Sequence, residues 1–125
     1  MREPRTDVTW SPERGERRES YVEYMASPEW FDRRDEWIVQ WRKTTGVAPF
    51  CLVCLRAWHA ESDDLHHVTY AHLGRELFVD LMALCRPCHR DLHHILEGNA
   101  LWRQMGRRAA TEKIAAMLRD RRAGA

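Results

Sequence analysis

Four cysteines fall in two pairs of identical spacing, Cys51-Leu52-Val53-Cys54 and Cys85-Arg86-Pro87-Cys88, with thirty residues between them. A C-x2-C turn lets two thiolates span one edge of a tetrahedron, and two such turns complete a closed zinc site. Four thiolates leave no open coordination position, so a zinc held by them is structural. The first thirty residues are interspersed with Arg and Glu and read as lacking a secretory signal. The expected compartment is therefore reducing, where paired cysteines are metal ligands before they are disulfides.

All seven histidines lie between positions 59 and 94. His66 and His67 are neighbours on a predicted strand, and successive strand side chains point to opposite faces. They cannot easily share one metal, which suits one to be a ligand and the other a base. His89 and His93 stand four apart on a predicted helix that begins near Pro87, so both imidazoles share a face and can grip one cation. Because Cys88 precedes His89, zinc at the cysteines would fix the helix start and aim His89. His94 is turned about 100° from His93 and is left outside the site. His59 and His72 have no partner at an interpretable spacing and read as surface or core residues.

These residues need elements to hold them. Residues 1–15, with Pro4, Pro12 and Gly15, read as a polar N-terminal arm. Residues 16–48 read as a helical, Trp-rich segment: one helix from Glu16 to Met25, then a second started by the N-cap Ser27 and by Pro28. Trp30, Trp37, Ile38 and Trp41 lie on one face of that second helix, which runs to about Lys43 and closes at Thr44-Thr45-Gly46. The face suits packing on a small domain; base stacking by these tryptophans and by Trp10 is the competing use. Residues 49–97 contain a knuckle from Pro49 to Trp58, strands over Leu65–Tyr70 and Leu77–Leu84, and a helix to about Glu97 that Gly98-Asn99 stops. Residues 98–125 read as a basic helix, weakened near Gly106, with Leu101, Met105, Ile114, Met117 and Leu118 facing inward.

The chain has 125 residues, enough for one domain with short arms. No window approaches the 18 apolar residues of a membrane span, and no membrane partner is expected. Charge is nearly balanced, with 20 basic and 19 acidic residues, yet residues 98–125 hold 7 basic and 2 acidic. Arg103, Arg107 and Arg108, extended by Lys113, Arg119, Arg121 and Arg122, suggest a polyanion partner, although a solvated helix face looks the same.

The order of features from Cys51 to His93 resembles the HNH endonucleases, the zinc-containing branch of the ββα-metal (His-Me finger) nucleases. The resemblance is carried by Cys51-Leu-Val-Cys54, Leu65-His66-His67-Val68-Thr69-Tyr70, Leu73-Gly74-Arg75-Glu76, and Asp80-Leu81-Met82-Ala83-Leu84-Cys85-Arg86-Pro87-Cys88-His89 with His93. It implies a small α+β fold, a ββα-metal finger stapled by the four-cysteine zinc site and flanked by N- and C-terminal helices. It implies His66 and His89 as ligands of a catalytic divalent cation, with His93 as a further ligand or phosphate contact. It implies His67 as the general base. Asp80 stands where the family's name calls for Asn, the residue that braces the loop between the strands; an ionised Asp can only accept hydrogen bonds.

On that resemblance the chain would hydrolyse DNA phosphodiester bonds, leaving 5′-phosphate and 3′-hydroxyl ends. The cation would neutralise a phosphate oxygen and the departing 3′ oxygen, while His67 takes a proton from the attacking water. Besides structural Zn2+, the cofactor would be Mg2+, Mn2+, Ni2+, Co2+ or Zn2+, imidazole favouring the transition metals. The implied setting is the cytoplasm of a bacterial or phage-infected host, with DNA, a second copy of the chain or phage packaging machinery as partners. The principal rival is a zinc-stapled nucleic-acid-binding module without catalysis; a zinc-organised protein-interaction domain docking through the Trp face is a third reading.

Overall fold

Ser27 begins the longest helix among the described residues by accepting the Trp30 N–H on its Oγ at 3.2 Å, with Pro28 in the first helical position. Gly46 ends it in the left-handed region at φ +79°, donating its N–H to the Arg42 carbonyl. The computed structural model describes residues 14–124. Within them the order is α1 (Arg14–Met25), α2 (Pro28–Thr45), β1 (Asp64–His67), β2 (Leu81–Leu84), α3 (Arg86–Gly98), α4 (Ala100–Met105) and α5 (Arg107–Ala123). This is a small mixed α+β fold. The expected N-terminal arm, Trp10 included, lies almost wholly outside the described residues.

β1 and β2 pair antiparallel in the register Asp64↔Leu84, Leu65↔Ala83, His66↔Met82 and His67↔Leu81. Alternation along so short a sheet divides two apolar clusters. Leu65, Leu81 and Ala83 face α2, where they meet Trp30, Trp37 and Trp41, with Trp58 of the segment before β1 in the same cluster. Leu84 faces the other way, toward Leu92 and Leu96 of α3 and Ala110, Ile114, Ala115 and Leu118 of α5. Each of these larger aliphatic side chains contributes about 1.5–3 kcal/mol on burial. Trp37 stacks on Trp41 and Phe78. The indole N–H groups of Trp37 and Trp41 have no acceptor among the described residues, a cost that the cluster's burial and ring stacking offset.

Two strand boundaries differ from the sequence expectation, each for a local reason. The first strand ends at His67 and not at Tyr70. Val68 N–H still reaches the Asp80 carbonyl, but the Thr69 hydroxyl then accepts the Ala71 N–H and turns the chain. The second strand starts at Leu81 and not at Leu77. Asp80 takes the Leu77 N–H on its carboxylate at 2.8 Å and returns its own N–H to the Leu77 carbonyl, winding Phe78–Asp80 into a 3-10 turn.

The C-terminal helix is two helices, because Gly106 adopts φ +96° between them. That break takes Leu101 (64% exposed) and Met105 away from the core. On α5 the inward stripe is Ala110, Thr111, Ile114, Ala115 and Leu118, and Met117 falls outside it.

Candidate metal centres

Cys51 and Cys54 sit in the knuckle before β1; Cys85 caps α3 and Cys88 lies in its first turn. The four sulfurs are all within 4.8 Å of one another. Cys54 Sγ and Cys85 Sγ are 3.7 Å apart, close to the roughly 3.8 Å edge of a tetrahedron with zinc–sulfur bonds of about 2.3 Å. The knuckle is shaped for this. Val53 and Cys54 point their N–H groups at Cys51 Sγ, and Leu55 accepts a left-handed φ of +69° to close the turn.

Burial alone would raise the Cys51 thiol, but the N–H groups of Cys54, Cys85 and Val53 outweigh it and bring it down to about 7. Burial, reinforced by neighbouring thiols, raises Cys54 and Cys88. Four thiolates this close need a cation, and the cluster could hold a structural metal such as zinc. Leu52 N–H bonds the Ala83 carbonyl, and Arg119 of α5 donates to the Leu52 carbonyl, so the knuckle is tied to both sheet and helix.

The second cluster is His66 from β1 with His89 and His93 from α3, again with ligand atoms within 4.8 Å. His66 Nδ1 and His89 Nε2 are 3.1 Å apart. The remaining nitrogens are occupied: His66 Nε2 by the Thr111 hydroxyl, His89 Nδ1 by Asp64, and His93 Nδ1 by Glu97, at 2.9–3.1 Å. Such outer partners fix ring orientation and tautomer in metal-binding histidines. If each outer nitrogen donates, the inner ones present lone pairs to a common point. Burial, then the Arg107 cation and the other two imidazoles, holds His66 well below the ordinary imidazole range. Burial also lowers His89, although its bond to Asp64 works the other way. Neutral imidazoles are what a cation needs, so the donor set fits one.

An open groove of about 360 Å³ runs beside this cluster, lined by Asp64, Arg86, His89, Arg90, His93, His94 and Glu97. His94, expected outside the site, therefore borders it.

His67 lies on the opposite face of the sheet, as alternation requires. Its Nε2 meets Glu76 Oε2 at 2.7 Å, and Tyr21, Trp30 and Tyr70 cover the ring. The residue is 2% exposed, and its Nδ1 has no hydrogen-bond partner among the described residues.

Asp80 is fully buried and accepts from Leu77 N–H, His72 Nδ1 and Arg108, each at 2.8 Å. Burial would raise its carboxyl, but these donors together hold it below the usual range. His72, which had no partner by spacing, is thus tied to Asp80. Two arginines read as phosphate contacts are likewise turned inward. Arg107 donates to the His67 carbonyl and to Tyr70, and Arg108 to the Val79 carbonyl and to Asp80.

Thr111, Asp64, Glu97, Glu76 and Tyr24 do not stand out in the sequence as site residues. Only Glu97 carries a signal, standing four residues after His93 on one helix face. No family model matches the chain, and neither a curated protein nor a solved structure matches it. Among the described residues no helix is long and apolar enough to cross a membrane.

Proposed function

We propose that the chain is a metal-dependent HNH endonuclease that hydrolyses DNA phosphodiester bonds, with β1, β2 and α3 as a ββα-metal finger stapled by zinc at the cysteines. The observation that carries the reading is the second cluster. Three imidazoles from two elements converge, and each is held from behind by Thr111, Asp64 or Glu97. A bare binding module has no use for such an arrangement.

A divalent cation there would set positive charge against a phosphate oxygen and the departing 3′ oxygen. His66, His89 and His93 would hold it, and Thr111, Asp64 and Glu97 would keep their rings aimed. Arg86 and Arg90 line the adjoining groove, where a DNA backbone would lie. His67 would take the proton of the attacking water, leaving 5′-phosphate and 3′-hydroxyl ends. Its aromatic cover must part before water and phosphodiester reach Nδ1. Asp80 would brace the strand-connecting loop through the Leu77 N–H, and Arg108 would balance its charge. Work on both strands would take two chains or two encounters. A second copy or phage packaging machinery in the bacterial cytoplasm is the setting this reading suits.

Incubating the zinc-loaded protein with supercoiled plasmid and Mg2+, Mn2+, Ni2+ or Co2+ tests the reading: nicking that EDTA stops is expected. The burial of His67 favours a second reading, a zinc-stapled nucleic-acid-binding module without catalysis. That module would retard DNA on a gel and cut it with none of the metals.

A further inference from the structure

We infer that Glu76 is the positioning residue for His67: it fixes the imidazole with its proton on Nε2 and its lone pair on Nδ1, and Tyr24 and Arg33 hold it in place. The inference rests on the nuclease reading for its catalytic consequence, and on geometry for its chemistry.

Glu76 is 4% exposed, an unusual place for a carboxylate without strong partners. One oxygen, Oε2, lies 2.7 Å from His67 Nε2, and the other accepts the Tyr24 hydroxyl at 2.8 Å. Arg33 donates from Nε to the Glu76 carbonyl at 2.8 Å, fixing the backbone as well. Burial opposes the ionised form of Glu76, but the bonds from His67 and Tyr24 prevail and lower its carboxyl below the ordinary range. An ionised carboxylate is acceptor-only, so the nitrogen facing it must be the donor. Nε2 therefore carries the proton, and Nδ1, which has no partner among the described residues, is left to keep the lone pair. At the far side of the residue, Arg107 grips the His67 carbonyl at 2.9 Å, so ring and backbone are held independently.

The arrangement also gives the N-terminal helices a role. Tyr24 of α1 bonds the Glu76 carboxylate and Arg33 of α2 its backbone carbonyl, so both helices converge on the residue that touches His67. The Trp-bearing segment is thus part of how His67 is oriented, beyond covering the sheet.

The test uses the full zinc-loaded chain, 15N-labelled, with the parent compared against Glu76→Gln and Tyr24→Phe. Long-range 1H–15N correlation should place the His67 proton on Nε2 in the parent. In Glu76→Gln the charge-assisted bond is lost, and that Nε2 proton should move upfield. On plasmid, kcat should fall roughly 10–100-fold in Glu76→Gln, part of the about 10²–10⁴-fold a positioned base contributes. KM and the metal concentration for half-maximal rate should hold. Tyr24→Phe, which keeps the Glu76–His67 bond, should lose less than Glu76→Gln. A parent His67 protonated on Nδ1, or a folded Glu76→Gln with parental kcat, overturns the inference. If the parent cuts nothing, the nuclease reading fails. The Nε2 proton, present or absent, then still decides whether Glu76 orients His67.

Discussion

Nδ1 of His66 faces Nε2 of His89 at 3.1 Å across the junction of β1 and α3, while the opposite nitrogens rest on Thr111 and Asp64. Two lone pairs cannot stay that close unaided; a shared proton or a cation has to lie between them. β1 and α3 are joined at this point by side-chain nitrogen, just as the knuckle and α3 are joined by sulfur. A metal at each cluster would therefore tie α3 twice, to the knuckle through Cys51, Cys54, Cys85 and Cys88 and to β1 through His66, His89 and His93.

The cysteine centre should carry one zinc per chain and should govern stability. Structural zinc is worth about 10–16 kcal/mol, comparable to the whole stability of a domain at about 5–15 kcal/mol. Cys85→Ser should abolish the cooperative thermal transition and release zinc. Elemental analysis and circular dichroism in strong chelator check this; zinc-free protein of undiminished thermal stability would contradict it.

Asp80→Asn should cost about 1–2 kcal/mol at pH 7, since the charged partner of half-exposed Arg108 is lost but an acceptor for Leu77 N–H remains. Its folded-state carboxyl lies below the ordinary range, so on acidification the unfolded chain takes up the proton first. The parent's advantage is thus full above about pH 4 and shrinks as pH falls below it. Urea midpoints of the two proteins across pH 7 to 3.5 should converge; a gap independent of pH would refute the charge argument.

His67→Ala should cut nicking by about 10²–10⁴-fold while zinc content and DNA affinity persist. It should also loosen the fold by about 1–3 kcal/mol, because the buried Glu76 loses a donor. A variant that nicks plasmid at the parental rate would remove His67 from the base role.

Arg90 has no ion-pair partner among the described residues and borders the groove beside the histidines. Arg90→Ala should weaken binding about equally for every DNA sequence and lower the slope of log affinity against log salt by about 1. Arg107→Ala and Arg108→Ala are expected to act differently, destabilising the protein and leaving the salt slope alone, since both hold the chain's own carbonyls and side chains. Fluorescence anisotropy across a salt series separates the two behaviours.

What is legible in the sequence is whatever a repeat distance announces. The two C-x2-C turns and the His89–His93 spacing name their own geometry, and strand alternation by itself puts His66 and His67 on opposite faces. The partners that finish the sites have no such period. Thr111 reaches His66 from 45 residues away, and Arg108 reaches Asp80 from 28. Both contacts depend on where Gly106 redirects the last helix. The basic tail misleads for the same reason, because composition records its charge and says nothing of the carbonyls it serves. Tyr24 and Glu76 are hidden further still, joined only once α1 and α2 fold back over the sheet.

The most direct measurement is the initial rate of nicking of supercoiled plasmid by the zinc-loaded parent and by His89→Ala, as Mn2+ is raised from micromolar to millimolar. If His66, His89 and His93 hold the cation at which the phosphodiester is cut, the parent should saturate. His89→Ala should then need at least about 10-fold more Mn2+ for half its maximal rate, with its cysteine-bound zinc intact. Identical curves for the two proteins, or no nicking by the parent at any Mn2+ concentration, would contradict it.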